Sequence, residues 1–374
     1  MARTQILPTD AGAVKKWETD VSVEATKKSF WTKMTGGEKS AMPVVRKTSL
    51  ESGAGDEVTM YLIAKMVGKP REGAEKLQGY EDSLNHFTDK LRIDKHRRAV
   101  NVGDVMDQKR VPYDIAEQAK ARLSDWAAEV HDEQITMHAS GARGVGGEIQ
   151  HYPTTYAGFP NAFITPDSGH NQVWDGSIAY GSLVEATHKL GLAVIDAANL
   201  RAKKMIGDIK GGNAAKMTPC SAEGGKHFIF MTGPEGMYDL RREVGDAGFL
   251  TLEKAAMGAE GKKGVIFQGG KFFYNGVLGD EMQNIVKFNN AGAGTIRAMR
   301  SLFLGSHAVA VAYGTKGQNN GSRYELTDSD LDHGEEEVIV IRLIAGYKKC
   351  RYNSLDYGVI AVDHTYSIAA GYTI

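Results

Sequence analysis

The chain has 374 residues, of which 42% are hydrophobic and 24% charged. That is the composition of an ordinary folded protein, long enough for two or more substructures with sizeable cores. The net charge of −1 excludes a global nucleic-acid-binding signature, and no apolar run is long enough to span a bilayer.

Forty-four glycines against nine prolines predict many turns and long loops. Two distant cysteines, Cys220 and Cys350, argue against a disulfide framework and for a reducing, cytosolic place of synthesis. The opening residues Met1-Ala2-Arg3-Thr4-Gln5 carry no apolar secretory segment.

Residues 1–50 read as an extended arm. Short apolar groups (Val14, Trp17, Val21, Phe30, Trp31) are interrupted by Gly12 and Gly36-Gly37, and nine Lys/Arg outnumber five Asp/Glu. Two readings stand side by side. One is a solvated, partly helical terminus; the other is an arm lying on a neighbouring subunit or near nucleic acid, because local positive charge attracts phosphate. Residues 51–102 read as a long β-hairpin. Val58, Met60 and Leu62 alternate with other residues, as do Leu91 and Ile93. The connection runs from Gly68-Lys69-Pro70-Arg71-Glu72-Gly73 through Gly79. It carries turn formers and mixed charge, and it is too long for a tight turn. It is either a flexible surface loop or a contact arm that projects from the body.

A long helix is predicted over 112–138. Ile115, Ala119, Leu123, Trp126, Val130 and Met137 recur at three-, four- and seven-residue spacing, which makes one apolar face. Pro112 suits a first turn, Asp114 and Glu117 suit the positive end of the helix dipole, and Gly141 supplies the stop. At 1.5 Å per residue the helix is roughly 40 Å long. Its core positions, Ile115, Leu123, Trp126 and Val130, should pack on terminal strands around residues 338–341 and 359–362.

The glycine run 141–147 opens a loop reaching about residue 175. A second helix is predicted over 181–206, with Arg201, Lys203 and Lys204 at its C-terminal end. Residues 226–232 form a short buried strand by pattern. Gly233-Pro234 ends it, and a helix starts around Met237. Residues 264–267 and 271–274 are further short strands, and 296–312 is an apolar, small-residue stretch. Seven acids between Glu325 and Glu337 predict an acidic loop. Residues 338–341 are apolar without interruption and so are expected to be buried on both faces. A last strand covers 357–362. Strands and helices without strict alternation indicate an α+β fold.

The chemical signals are weak one by one. The glycine run has no strand before it and no GK[S/T] after it, so no phosphate cradle is expected. Asp328, Asp330 and Asp332 have a calcium-loop spacing, but Gly334 falls one place late and Ile339 stands where the bidentate glutamate belongs. His131 and His138 are two helical turns apart, too far to share a metal. Cys220 and His227 lack a surrounding nucleophile motif. No cofactor or metal is predicted. Lys90, Arg92, Lys95, Arg97 and Arg98 form a basic stretch without the aromatic interleaving used to stack bases. It is suited to acidic groups on neighbouring surfaces.

Order and spacing together resemble a known family. The carrying segments are Leu91-Arg92-Ile93-Asp94, Arg97-Arg98-Ala99-Val100, Gln108, Arg110, Tyr113-Asp114 and the long helix with Trp126. Further on come Phe228–Thr232 with Pro234 and Asp239-Leu240, and Leu304-Gly305-Ser306-His307-Ala308 with Gly314. Ile344-Ala345-Gly346-Tyr347-Lys348-Lys349 and Asp356-Tyr357-Gly358-Val359-Ile360 complete the set. Over about residues 40–365 the chain resembles the major capsid proteins of tailed double-stranded DNA phages, specifically the phage N-four-like family.

The resemblance implies the Hong Kong-97-type capsid fold. It implies an N-terminal arm (1–50), an extended E-loop hairpin (51–102), and a peripheral domain (103–180 and 335–374) holding the long helix as its spine. An axial domain would cover 181–334. It also implies hexamers and pentamers of an icosahedral shell around packaged DNA, which the inner face contacts non-specifically. A scaffolding protein, a portal and a decoration protein would be partners, no membrane is involved, and the location would be the virion after synthesis in the host bacterial cytoplasm. Gly68, Lys69, Pro70, Arg71 and Glu72, at the hairpin tip, become the expected inter-subunit contact. The residues themselves fit this: a projecting hairpin and an arm need a neighbour to cover their apolar area. An encapsulin-like compartment shell and a hydrolase using Cys220 and His227 are the alternatives.

Overall fold

The computed structural model describes residues 29–51, 55–144, 151–153, 156–173, 187–222, 225–243, 267–268, 271–291, 296–314, 325–331 and 335–367. The expectations for Val14, Trp17 and Val21, for most of the glycine run, for residues 181–186 and 264–266, and for Asp332 and Gly334 lie outside these residues.

Residues 29–50 pack on the body. A 3₁₀ turn, Phe30–Met34, leads into β1 (Thr35–Gly36) and β2 (Val44–Lys47). Trp31, Val44 and Val45 are buried. Burial of that many large apolar groups, at roughly 1.5–3 kcal/mol each, is what holds the stretch in place. The hairpin forms as β3 (Glu57–Ile63) and β4 (His86–Arg92), antiparallel, with Val58 opposite Leu91 and Leu62 opposite Phe87. It ends earlier than expected. The strand breaks at Ile93, and β5 (Asp94–Asp104) leaves the hairpin to pair elsewhere.

A short helix α1 (Val105–Arg110), not foreseen in the sequence, is capped by Asp104. The long helix α2 (Ile115–Ser140) has 26 residues. Asp114 caps it, accepting from Ala116 N–H at 2.8 Å and Glu117 N–H at 3.1 Å. A carboxylate there satisfies two of the orphan donors of the first turn, so Pro112 stands ahead of the helix instead of inside it. Gly141 ends the helix in the left-handed conformation with φ 65°. A Cβ at this position would run into the Ile164 carbonyl.

The later elements are β6 (Asn171–Val173), α3 (Leu192–Lys204), β7 (Cys220–Ala222), β8 (Gly225–Thr232) and α4 (Pro234–Arg241). Then follow β9 (Phe267–Gln268), β10 (Lys271–Tyr274), β11 (Val277–Glu281), β12 (Lys287–Ala291), β13 (Ile296–Leu304) and β14 (Val309–Tyr313). The chain closes with β15 (Glu325–Leu331), β16 (Glu336–Lys349), β17 (Arg351–Tyr352), β18 (Leu355–Asp356) and β19 (Val359–Thr365).

Two mixed sheets organise these strands. The six-stranded sheet runs β1-β2-β14-β16-β15, with β5 also paired to β16. The nine-stranded sheet runs β6-β19-β13-β8-β11-β10-β9, with β12 on β13 and β7 on β8. Sequence order crosses between them. β14 lies in the six-stranded sheet and β19 in the nine-stranded one, so a division of the chain at residue 335 is crossed in both directions.

Strand β8, inside the nine-stranded sheet, is buried on both faces. Phe228 and Phe230 of β8 meet α3 and α4, while Ile229 and Met231 meet the core shared with α2. Unbroken apolar runs are the signature of such a strand. In contrast, β16 is not buried on both faces. Ile339 and Ile341 pack under Leu123, Ala127 and Ala119 of α2, whereas Val338 and Val340 are half-buried. The acids at 325–331 are not a loop: they form β15, with Asp328 opposite Ile339 and Leu331 opposite Glu336.

The spine helix meets both sets of strands that the sequence assigned to it. Its first half lies on Ile339 and Ile341, and Ile135 and Ala139 of its second half share a core with Val359. Leu123 and Val130 are buried, but Ile115 and Trp126 are only half-buried. From Val130 to Ser140 every residue is buried, polar ones included. The one-face pattern therefore describes only the first half of the helix.

Candidate assembly surfaces

Among the described residues, exposed large apolar side chains gather on the hairpin. Every residue from Lys65 to Leu84 is exposed. Tyr61, Ile63, Met66, Val67, Leu77, Tyr80 and Leu84 are among the exposed large hydrophobic side chains, each more than half accessible. A patch of this kind, rimmed by charge, marks an interaction surface. The expected contact residues Gly68, Lys69, Pro70, Arg71 and Glu72 all sit at this tip and are exposed. Arg71 gives the tip local order: it pairs with Glu75 at 3.1 Å and lies over the Tyr80 ring at 4.0 Å.

The root of the hairpin is fixed firmly. The buried Asn161 side chain accepts from Arg92 N–H at 3.0 Å and donates to Arg92 C=O at 2.8 Å, where β4 passes into β5. Asp89 pairs with the Lys348 ammonium and accepts from Arg351 N–H at 3.3 Å. Met60 and Leu91 pack on Ala310 and Ala312 of the six-stranded sheet. The root is fixed while the tip is left uncovered. Asn161, Asp89 and Lys348 had no signal in the sequence, since their partners are 69 to 262 residues away.

The basic stretch divides between two strands. Lys90 meets Glu57 at 2.8 Å and Arg92 meets Asp56 at 3.5 Å, so part of it is used within the subunit. Arg98 stacks over Trp126 at 5.4 Å, beside His151. Lys95 and Arg97 remain exposed on β5.

The N-terminal segment is tied to the spine helix. Asp132 accepts from the Ser29 hydroxyl at 2.5 Å, Phe30 N–H at 2.7 Å and Trp31 N–H at 3.3 Å. The Trp31 indole donates to Thr136 at 3.0 Å. Burial nonetheless pushes the Asp132 carboxyl above the usual range. Deeper in, Arg300 forms a bidentate pair with Asp363 at 2.7 and 2.8 Å and donates to Ser140 C=O at 3.0 Å. It thereby joins β13 and β19 to the end of α2.

Among the described residues, the groups with catalytic residue types are buried or engaged by internal partners. Cys220 and His227 are cross-strand partners of β7 and β8, but burial pushes the Cys220 thiol up to about 12. It is a small buried thiol rather than a nucleophile. Ser301 lies 2.7 Å from His364 Nε2 and 2.9 Å from the Thr232 hydroxyl, yet all three are fully enclosed. His131 bonds Tyr347 at 2.9 Å and His138 packs on Phe163. Asp328 pairs with Lys120 of the spine helix at 3.0 Å. Among the described residues no His, Cys, Asp and Glu group is placed to hold a metal, and no helix is long and apolar enough to cross a membrane.

Comparison with known proteins matches residues 6–368 to the model of a family described as phage capsid protein. The chain belongs to the phage capsid protein family. The capsid of Ralstonia phage GP4 superposes with a TM-score of 0.83 at 33% identity, covering 99% of this chain and 100% of that one. The Cyanophage Pam1 capsid gives a TM-score of 0.72 at 21% identity, with both chains covered completely. The major capsid protein of Pseudomonas phage KPP25 is 24% identical over 346 residues, 83% of this chain and 84% of that protein. The fold is the α+β, Hong Kong-97-type capsid fold, and the chain's role is that of a tailed-phage major capsid protein, a structural subunit that self-assembles into a shell.

Proposed function

We propose that this capsid subunit builds hexamers and pentamers of an icosahedral shell that encloses double-stranded DNA. In that shell the hairpin tip at Gly68, Lys69, Pro70, Arg71 and Glu72 lies on an adjacent copy. One observation carries the reading: seven large apolar side chains stand exposed on a hairpin whose root is anchored by Asn161 and Asp89. A neighbour is needed to remove that surface from water. The peripheral part of the subunit comprises α2 and the six-stranded sheet, and the axial part the nine-stranded sheet. A scaffolding protein, a portal and a decoration protein act as partners, and the inner face meets DNA without sequence preference. The subunit is made in the host cytoplasm and works by assembly rather than catalysis.

Deletion of residues 68–79 tests the role of the hairpin. The variant should fold with unchanged circular dichroism but yield no closed shells by electron microscopy when co-expressed with the scaffold. Normal shells from this deletion would refute the contact. A parent chain that stays monomeric under every assembly condition would refute the shell geometry itself.

A further inference from the structure

Where β16 ends and the β17–β18 hairpin begins lies a buried charged cluster that the shell function does not use. Lys349, at the end of β16, extends its ammonium to Asp356 Oδ2 on β18 at 2.6 Å. Their side chains are 2% and 1% exposed. Asp356 Oδ1 is buried with no hydrogen-bond partner among the described residues, and Arg351 Nε stands 3.7 Å from it, beyond hydrogen-bond reach. A second acid, Asp167, accepts the backbone N–H of Asp356 at 2.5 Å. His170, itself fully buried, holds Asp167 through Nδ1 at 2.9 and 3.0 Å.

An ion pair is a poor resting state for this place. Two charges taken from water are repaid only when both are fully hydrogen-bonded, and one Asp356 oxygen is not. Burial lowers the Lys349 ammonium and raises the Asp356 carboxyl. Both shifts favour the neutral amine beside the neutral acid. Burial alone would raise Asp167, but His170 and the backbone N–H groups of Asp356 and Gly169 together hold it below the usual carboxylate range. It stays ionised beside the pair, as a base must.

We propose that Lys349 and Asp356 condense into an isopeptide bond within one chain, with Asp167 as the proton relay. The reaction balances without any other reagent. The ammonium passes one proton to the Asp356 carboxylate. The Nζ lone pair then attacks Asp356 Cγ, forming the C–N bond. Asp167 takes a proton from the nitrogen and delivers it to the Cγ hydroxyl, the C–O bond breaks, and one water leaves. Enforced contact of nucleophile and electrophile supplies effective concentrations on the order of 10⁵–10⁸ M, and exclusion of water opposes hydrolysis. The product replaces two buried charges by one neutral amide. It also ties the end of β16 to β18.

The full-length chain, purified from shells and denatured, tests this by mass spectrometry. The intact chain should be one water lighter than its sequence. Trypsin should fail to cut after Lys349, leaving Lys349-Cys350-Arg351 as a branch on the C-terminal peptide from Tyr352, which contains no Lys or Arg. A Lys349→Arg variant should show full mass. Asp167→Asn, checked for folding by circular dichroism, should be predominantly unlinked; linkage at the parent level would overturn the relay. Full parental mass overturns the bond. So does a chain one water lighter in which Lys349 is still cleaved, because that identifies a succinimide at Asp356.

Discussion

Replacing Trp31 with alanine should cost the subunit about 3–5 kcal/mol of folding stability. The magnitude follows from its surroundings. Trp31 is fully buried in the core that Ile135, Ala139, Val44 and Val309 share, and Phe30 meets it edge-on at 5.8 Å. Truncation removes that apolar area, leaves a cavity between α2 and β2, and deprives Thr136 of the indole donor at 3.0 Å. Trp126→Ala is the internal control. That side chain is half-buried and makes an Arg98 cation–π contact, so its loss should cost only about 1–2 kcal/mol. Urea denaturation of the unassembled subunit reads both values, from midpoint shifts at constant slope. A Trp31→Ala loss below about 0.5 kcal/mol, within the range of ordinary surface substitutions, would refute the placement of residues 29–50 in the body. It would restore the reading of that stretch as an arm.

The Arg300–Asp363 pair gives a second test, in which a second substitution should offset the loss from the first. Arg300→Met strands a buried carboxylate and should cost about 3–5 kcal/mol, whereas Arg300→Met with Asp363→Leu should recover most of that loss. Equal losses for the single and double variants would show that the charges are not coupled. His138 gives a pH dependence. Burial, with a smaller contribution from Lys348, holds its imidazole down to about 3 against an ordinary 6.5. Between those values the unfolded chain takes up a proton that the folded chain refuses, so acidification destabilises. The cost is about 1.4 kcal/mol per pH unit from this one group, and it disappears above pH 6.5. In urea denaturation series across this range, His138→Leu should lose stability less steeply by that amount; parallel curves would refute the assignment.

Local rules were enough to find some elements from the amino acids alone. The spine helix is one, because an apolar repeat, the Asp114 cap and the Gly141 stop all act within a turn of their own position. The hairpin is another, and so is the buried strand at 226–232. The tip residues Gly68, Lys69, Pro70, Arg71 and Glu72 were placed by turn chemistry, which is local as well. Phage capsid membership was legible from the order of segments that no single motif decided. What the tertiary structure decided involves partners far apart in the chain. Trp31 reads as part of an arm until Asp132 and Thr136, about a hundred residues on, are seen to hold it. The acids of 325–331 read as a loop because charge suits solvent, yet pairing with β16 makes them an edge strand with Asp328 on Lys120. Residues 338–341 look buried on both faces, but α2 covers only the Ile339 and Ile341 side. Sequence alternation describes one strand at a time; which neighbour covers each face depends on contacts across the whole chain. The same is true of Asn161 at the hairpin root and of Asp167 beside Lys349, whose roles exist only once distant segments are brought together.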